Sequence, residues 1–96
     1  MVTDSMEKLK DLRNKMAKIT FEIIRLSGER IAIAKKIGEI KAKNNMPIED
    51  PLIEQELRNK VIDLSRRYNI NVNFSLKLLN LLIDESKRVQ QNVMKI

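Results

Sequence analysis

LKDLRNKMAKITFEIIRLSGERIAIAKKIGEI, residues 9–40, decides the fold. Along it Leu9, Leu12, Met16, Ile19, Ile23, Leu26, Arg30, Ile33, Ile37 and Ile40 recur at alternating spacings of three and four. Such a seam belongs to a long helix packed lengthwise on other helices. Gly28 and Gly38 interrupt it at a cost of about 1 kcal/mol each relative to Ala, which so long a helix tolerates. One seam member is charged. Arg30 stands where its neighbours in the stripe are aliphatic, and a guanidinium cannot shed its charge on burial. Something anionic should face it, and a plain ion pair with Glu29 or with a partner chain's glutamate is the competing explanation.

Working outward, residues 1–5 read as a frayed lead-in with Asp4 or Ser5 as N-cap, and helix 1 is expected over residues 6–43. At 1.5 Å per residue that is roughly 57 Å, whereas a compact chain of this size has a radius of gyration of about 12–13 Å. The helix must protrude, and its seam needs more cover than one chain supplies, so a homodimer with paired long helices is expected. Asn44-Asn45-Met46-Pro47 ends helix 1. Asp50 then caps helix 2 and Pro51 takes the first helical position, where a missing N–H costs nothing.

Helix 2, residues 51–67, is expected to bury Ile53, Leu57, Val61 and Leu64. Tyr68-Asn69-Ile70-Asn71 forms the next turn, and helix 3 runs over residues 73–94 with Asn73 as its cap. Its inward stripe reads Ser75, Leu79, Leu82, Ser86, Val89/Gln90 and Val93. The expectation is an all-α chain of three helices forming a single domain over residues 1–96.

Composition narrows the function. The 96 residues contain no Cys and no His, which removes disulfides, thiolate nucleophiles, Cys-based metal sites and the commonest neutral-pH acid–base group. The lack of Cys fits a cytoplasmic protein. No apolar run approaches the ~20 residues of a membrane span, and the N-terminus lacks a signal-peptide apolar region, so no membrane association is expected. The net charge is +6, concentrated in residues 1–43 with eleven Lys or Arg against six Asp or Glu. A basic helix fits nucleic acid, an anionic surface or a small polyanion. No aromatic–basic interleaving or Gly-rich loop supports nucleic-acid readout; most of these lysines read as a solvated face.

The spacing of a few residues favours the small polyanion. Arg30 and Lys41 are eleven residues apart, on nearly one helix face and about 16 Å apart along the axis, able to grip opposite ends of one anion. Arg13 lies about 25 Å from Arg30 on the same helix, too far to share a small ligand, but the Arg13 of an antiparallel partner could lie beside Arg30. Asp50 and Glu54, one turn apart, could accept from a ligand hydroxyl, and Ser86 and Gln90 add neutral hydrogen-bonding groups. Each has a plainer reading alone: Lys41 a surface lysine, Asp50 a cap, Glu54 a partner of Arg58, Ser86 and Gln90 interhelical hydrogen bonds. Together they suit a small dianion carrying a hydroxyl.

The ordered set Leu12-Arg13, Glu29-Arg30, Gly38 and Lys41, Pro47-Ile48-Glu49-Asp50-Pro51, Glu54, Asp84-Glu85-Ser86 and Gln90-Gln91 resembles the all-helical chorismate mutases over residues 8–93. The resemblance implies an intertwined helical homodimer with two active sites, each completed by the other chain's first helix. It implies that Arg30 and the partner's Arg13 hold the two carboxylates of the chorismate dianion, that Lys41 and Gln90 bond the ether oxygen, that Glu54 and the Asp50 region bind the ring hydroxyl, and that Ser86 meets the ring carboxylate. The implied reaction is the pericyclic rearrangement of chorismate to prephenate in phenylalanine and tyrosine synthesis. It needs no metal, cofactor or nucleophile, and Lys41, Gln90 and Arg30 are the implied catalytic residues.

The chain departs from that pattern at Ile53, where family members commonly carry an arginine. Arg58 is the expected partial replacement, and substrate affinity is the property this change touches. Two other readings stay open: the related isochorismate pyruvate lyase, against which retention of Asp50 and Glu54 argues, and a non-enzymatic helical dimer binding anions or nucleic acid.

Overall fold

The computed structural model describes residues 2–95 as three helices: α1 (Val2–Lys43), α2 (Pro51–Arg67) and α3 (Val72–Met94), with no strand among them. α1 packs on α3 and α3 packs on α2, while the backbones of α1 and α2 do not approach closely. At 42 residues, α1 is about 63 Å long and sets the 65 Å longest dimension. The radius of gyration is 18.3 Å, well beyond the roughly 12–13 Å of a compact chain of this length. None of the described helices is long and apolar enough to cross a membrane.

Both helix ends preceding a turn are made by asparagine. Asn45 and Asn69 take positive φ, 51° and 56°, a conformation Asn reaches more readily than other residues with a Cβ. The next residues then fold back, Met46 N–H donating to Lys41 C=O at 2.9 Å and Ile70 N–H to Ser65 C=O at 2.8 Å. These six-to-one bonds satisfy carbonyls that a helix end would otherwise orphan.

Three local expectations are corrected. α1 begins at Val2, so Asp4 and Ser5 lie inside it; residues 2–5 hold no breaker, and Asp4 sits in the first turn, where its charge complements the helix dipole. α3 is capped by Asn71, whose Oδ1 accepts from Phe74 N–H at 3.0 Å, in place of Asn73. Asp50 occupies the cap position of α2, but its carboxylate makes no capping bond and turns instead to Lys41.

The packing of α1 differs most from a simple seam. Leu12, Met16, Ile19, Ile23 and Leu26 are all exposed in the single chain. The face that meets α3 is rotated from the aliphatic stripe and runs Arg30, Ala34, Gly38, Lys41, with Ala34, Gly38 and Lys41 buried. Two small residues one turn apart let the helices approach closely. Gly38 is therefore more than a tolerated interruption: a Cβ there would lie 3.0 Å from the Cα of Gln90 and 3.3 Å from its Cβ. On α2, Ile53 and Leu57 remain exposed, against the expected burial, and Val61 and Leu64 are half-buried around the buried Ser65. The buried apolar centre is small, consisting of Ala34, Leu79 and Ile83.

Gly38→Ala tests that crossing. Alanine gains about 1 kcal/mol in helix propensity, yet its methyl meets the α3 backbone, and overpacking of this kind costs about 1–3 kcal/mol. The expected net result is a loss of up to about 2 kcal/mol in urea unfolding, and a gain in stability would refute the close contact.

Candidate active site

Arg30 leaves α1 toward α3, where its Nη1 donates to Ser86 Oγ at 2.6 Å and to Leu82 C=O at 2.9 Å. Both acceptors are uncharged. Glu29, the acidic residue next to it in sequence, pairs instead with Arg25 at 3.0 Å, and none of the described carboxylates pairs with Arg30. A half-buried guanidinium held only by neutral groups retains its full attraction for an anion.

From Arg30 a cleft of about 160 Å³ opens between the C-terminal half of α1, the start of α2 and α3. Asp50, Glu54, Ser86 and Gln90 line it together with Arg30. Ile37, Ile48, Ile53, Leu57 and Ile83 supply aliphatic walls, of which only Ile83 is buried among these described residues of the single chain. Five of the seven sequence-derived site residues thus meet in one place.

Gln90 stands at the Gly38 crossing and is buried, and its Oε1 has no hydrogen-bond partner. A buried, unsatisfied amide atom costs about 1–3 kcal/mol. The interhelical hydrogen bond expected of a structural glutamine is not made by that atom. That oxygen is an acceptor, so a ligand would satisfy it with a hydroxyl group.

Lys41 and Arg13 are not brought to the cleft wall. Lys41 is buried, not a surface lysine, and its Nζ donates to Asp50 Oδ2 at 2.6 Å and to Ile48 C=O at 2.8 Å. It therefore stands directly behind Asp50, with one of its three N–H groups left over. Arg13 is exposed on the protruding half of α1, about 25 Å along the axis from Arg30. Within its own chain it serves no site.

Sequence reasoning missed Lys87. Its Nζ lies 2.8 Å from Glu54 Oε1 and 2.8 Å from Glu49 Oε2, and the side chain lines the cleft. The bond to Glu49 first, and that to Glu54 second, push its pKa up to about 12, so it stays charged below that pH. Glu54 consequently pairs with α3, not with Arg58. The signal was in the spacing: Ile83, Ser86, Lys87 and Gln90 follow i, i+3, i+4, i+7 and form one helix face. The stripe drawn through Leu82 and Val89 passes this face by one position.

The cleft can bind a small dianion with hydroxyl groups and hold it still. It offers two cations, two carboxylates, a hydroxyl and an amide. Ser86 accepts from Arg30 and has no histidine to activate it, because the chain contains none; binding and electrostatics are what this set provides.

Comparison with known proteins agrees with that chemistry. The family described as chorismate mutase type II matches residues 12–91. A chorismate mutase of Methanocaldococcus jannaschii is 32% identical over 89 residues, covering 93% of this chain and 90% of the relative. A bifunctional chorismate mutase/prephenate dehydratase of Aquifex aeolicus is 48% identical over 61 residues, 64% of this chain but 17% of that protein. The bifunctional protein of Escherichia coli K12 is 25% identical over 84 residues, 88% of this chain and 22% of the relative. The chain thus spans nearly all of the archaeal relative and about a fifth of the bifunctional ones.

Proposed function

The chain belongs to the chorismate mutase type II family, and from that premise we propose that its cleft converts chorismate to prephenate in the route to phenylalanine and tyrosine. The observation that carries the reading is the convergence of Arg30, Ser86, Asp50, Glu54 and Gln90 on one cleft, with Arg30 free of any described carboxylate.

The rearrangement is unimolecular: one carbon–oxygen bond breaks as one carbon–carbon bond forms, with no proton transferred. What the protein must supply is restraint of a flexible dianion in its compact reactive shape, and donors where negative charge grows on the ether oxygen. In this reading Arg30 holds one carboxylate and Ser86, already bonded to Arg30, meets the ring carboxylate beside it. Gln90 donates to the ether oxygen from its amide Nε2–H, Lys41 turns its remaining N–H past Asp50 to join it, and Asp50 and Glu54 accept from the ring hydroxyl. Catalysis by fixed dipoles and charges suits a chain with neither Cys nor His.

The second carboxylate needs a cation that the chain cannot bring from its own α1, and a homodimer provides it as the partner's Arg13. Surface area supports that assembly. The single chain exposes 8085 Å², whereas a folded monomer of its mass exposes about 5,700 Å². The excess of roughly 2,400 Å² is of the size that obligate interfaces bury. Its character fits as well: the uncovered area includes the α1 seam and an apolar groove between α2 and α3 lined by Val61, Leu64, Tyr68, Leu78 and Leu82. The reading is thus of a cytoplasmic homodimer acting on a small dianion, with neither nucleic acid nor membrane as partner.

The test is direct. Purified protein is expected to deplete the ultraviolet absorbance of chorismate and to yield prephenate by chromatography. Chorismate left intact, or pyruvate released from isochorismate in its place, would overturn the reading.

A further inference from the structure

We propose that Lys87 is a second substrate-binding cation of the cleft, donating to a carboxylate of the bound dianion from the α3 face that also carries Ser86 and Gln90. The inference rests on the mutase reading above and goes beyond the residues that reading uses.

Four observations support it. Lys87 lines the same cleft as Arg30, Ser86 and Gln90. It follows Ser86, which is hydrogen-bonded to Arg30, and precedes Gln90 by one short helical turn, so its stem rises from the floor that the substrate would cover. Its ammonium has three N–H groups and spends two of them, on Glu49 and Glu54. Finally, the cleft is short of positive charge for a dianion, and Lys87 supplies part of it. Asp50 and Glu54 both line the wall, while Lys41 sits behind Asp50 and does not line it; among the described residues of one chain, Arg30 and Lys87 are the cations that line it and oppose the negative charge of ligand and wall.

Glu49 and Glu54 then have distinct effects. Glu54 lines the cleft and aims Lys87 across it, while Glu49 is an exposed residue outside the cleft that holds the ammonium from the solvent side. Substrate entry shifts Lys87 away from Glu49 and onto the incoming carboxylate. A carboxylate contact of this kind is made equally in the ground and transition states, so its loss should appear in KM and leave kcat nearly intact.

The experiment measures kcat and KM for chorismate, and the thermal midpoint, in wild type, Lys87→Met, Lys87→Arg and Glu49→Gln. The expected result for Lys87→Met is a KM raised about tenfold to a hundredfold, the loss attached to one charge-assisted hydrogen bond, with kcat within about threefold. Lys87→Arg should restore most of the affinity. Glu49→Gln, which loosens the same clasp without removing the cation, should leave KM unchanged or lower it. If Lys87→Met does not fold, Lys87→Gln, which retains a donor for Glu54, takes its place in the series. An unchanged KM on losing the lysine would overturn the proposal. So would a rise in Glu49→Gln equal to that in Lys87→Met, which would make Lys87 only a clasp between the chain before α2 and α3. Wild-type protein that leaves chorismate untouched would defeat the mutase reading itself, and the role of Lys87 would fall with it.

Discussion

Arg30→Ala is expected to lower kcat/KM for chorismate by at least roughly 10²–10³-fold while leaving the three helices folded. Removing a single preorganised neutral donor already costs that much in other active sites, and Arg30 contributes a full charge facing no described carboxylate. The structural cost is small by comparison. The variant leaves Ser86 Oγ and Leu82 C=O without their charged donor, a loss of about 1–3 kcal/mol, each kcal/mol lowering Tm by some 4–8 °C. Activity and thermal midpoint measured on the same sample separate the two effects. A rate equal to wild type would remove Arg30 from the site and favour a helical dimer without this catalysis.

The second large effect concerns who owns each site. Arg13→Ala and Arg30→Ala homodimers are each expected to be nearly inactive, because in the proposed dimer every site would lack one carboxylate ligand. Co-expressed or refolded together, they should recover about a quarter of wild-type activity: half of randomly formed two-fold dimers are mixed, and each mixed dimer holds one intact site. Recovery would come from two inactive chains with no change of sequence. Absence of recovery, with mixed dimers demonstrated by mass, would mean that Arg13 does not complete its partner's cleft.

Much of this architecture was legible in the sequence because its signals are local or periodic. The long helix announced itself through the three–four spacing from Leu9 to Ile40, and its end through Asn44-Asn45 and Pro47. Arg30 stood out as the one charge in an aliphatic stripe, and Asp50-Pro51 marked the start of α2 to the residue. What stayed hidden depends on rotation about a helix axis or on choices between equivalent partners. The face of α1 that meets α3 lies one position from the seam, at Ala34 and Gly38, where small size and not hydrophobicity is the signal. Asn71 and Asn73 carry identical capping chemistry, and only the path of the turn selects the first. Glu54 had Arg58 one turn away along its own helix; only the tertiary fold put Lys87 closer. The burial of Lys41 followed the same logic, since a lysine near a helix end gives no sign that Asp50 and the Ile48 carbonyl will close over it.

The protruding half of α1 has a consequence for how this protein comes to exist at all. With a second copy as the cover proposed for its seam, folding and association become a single reaction whose order in chain concentration is two. Heat is then one way to unfold it and dilution another: the melting midpoint rises with the amount of protein in the tube. On that proposal a freshly made chain would hold an apolar helix open until it met its twin. The level of expression, as much as the sequence, would thereby set the fraction of chains that ever reach the active state.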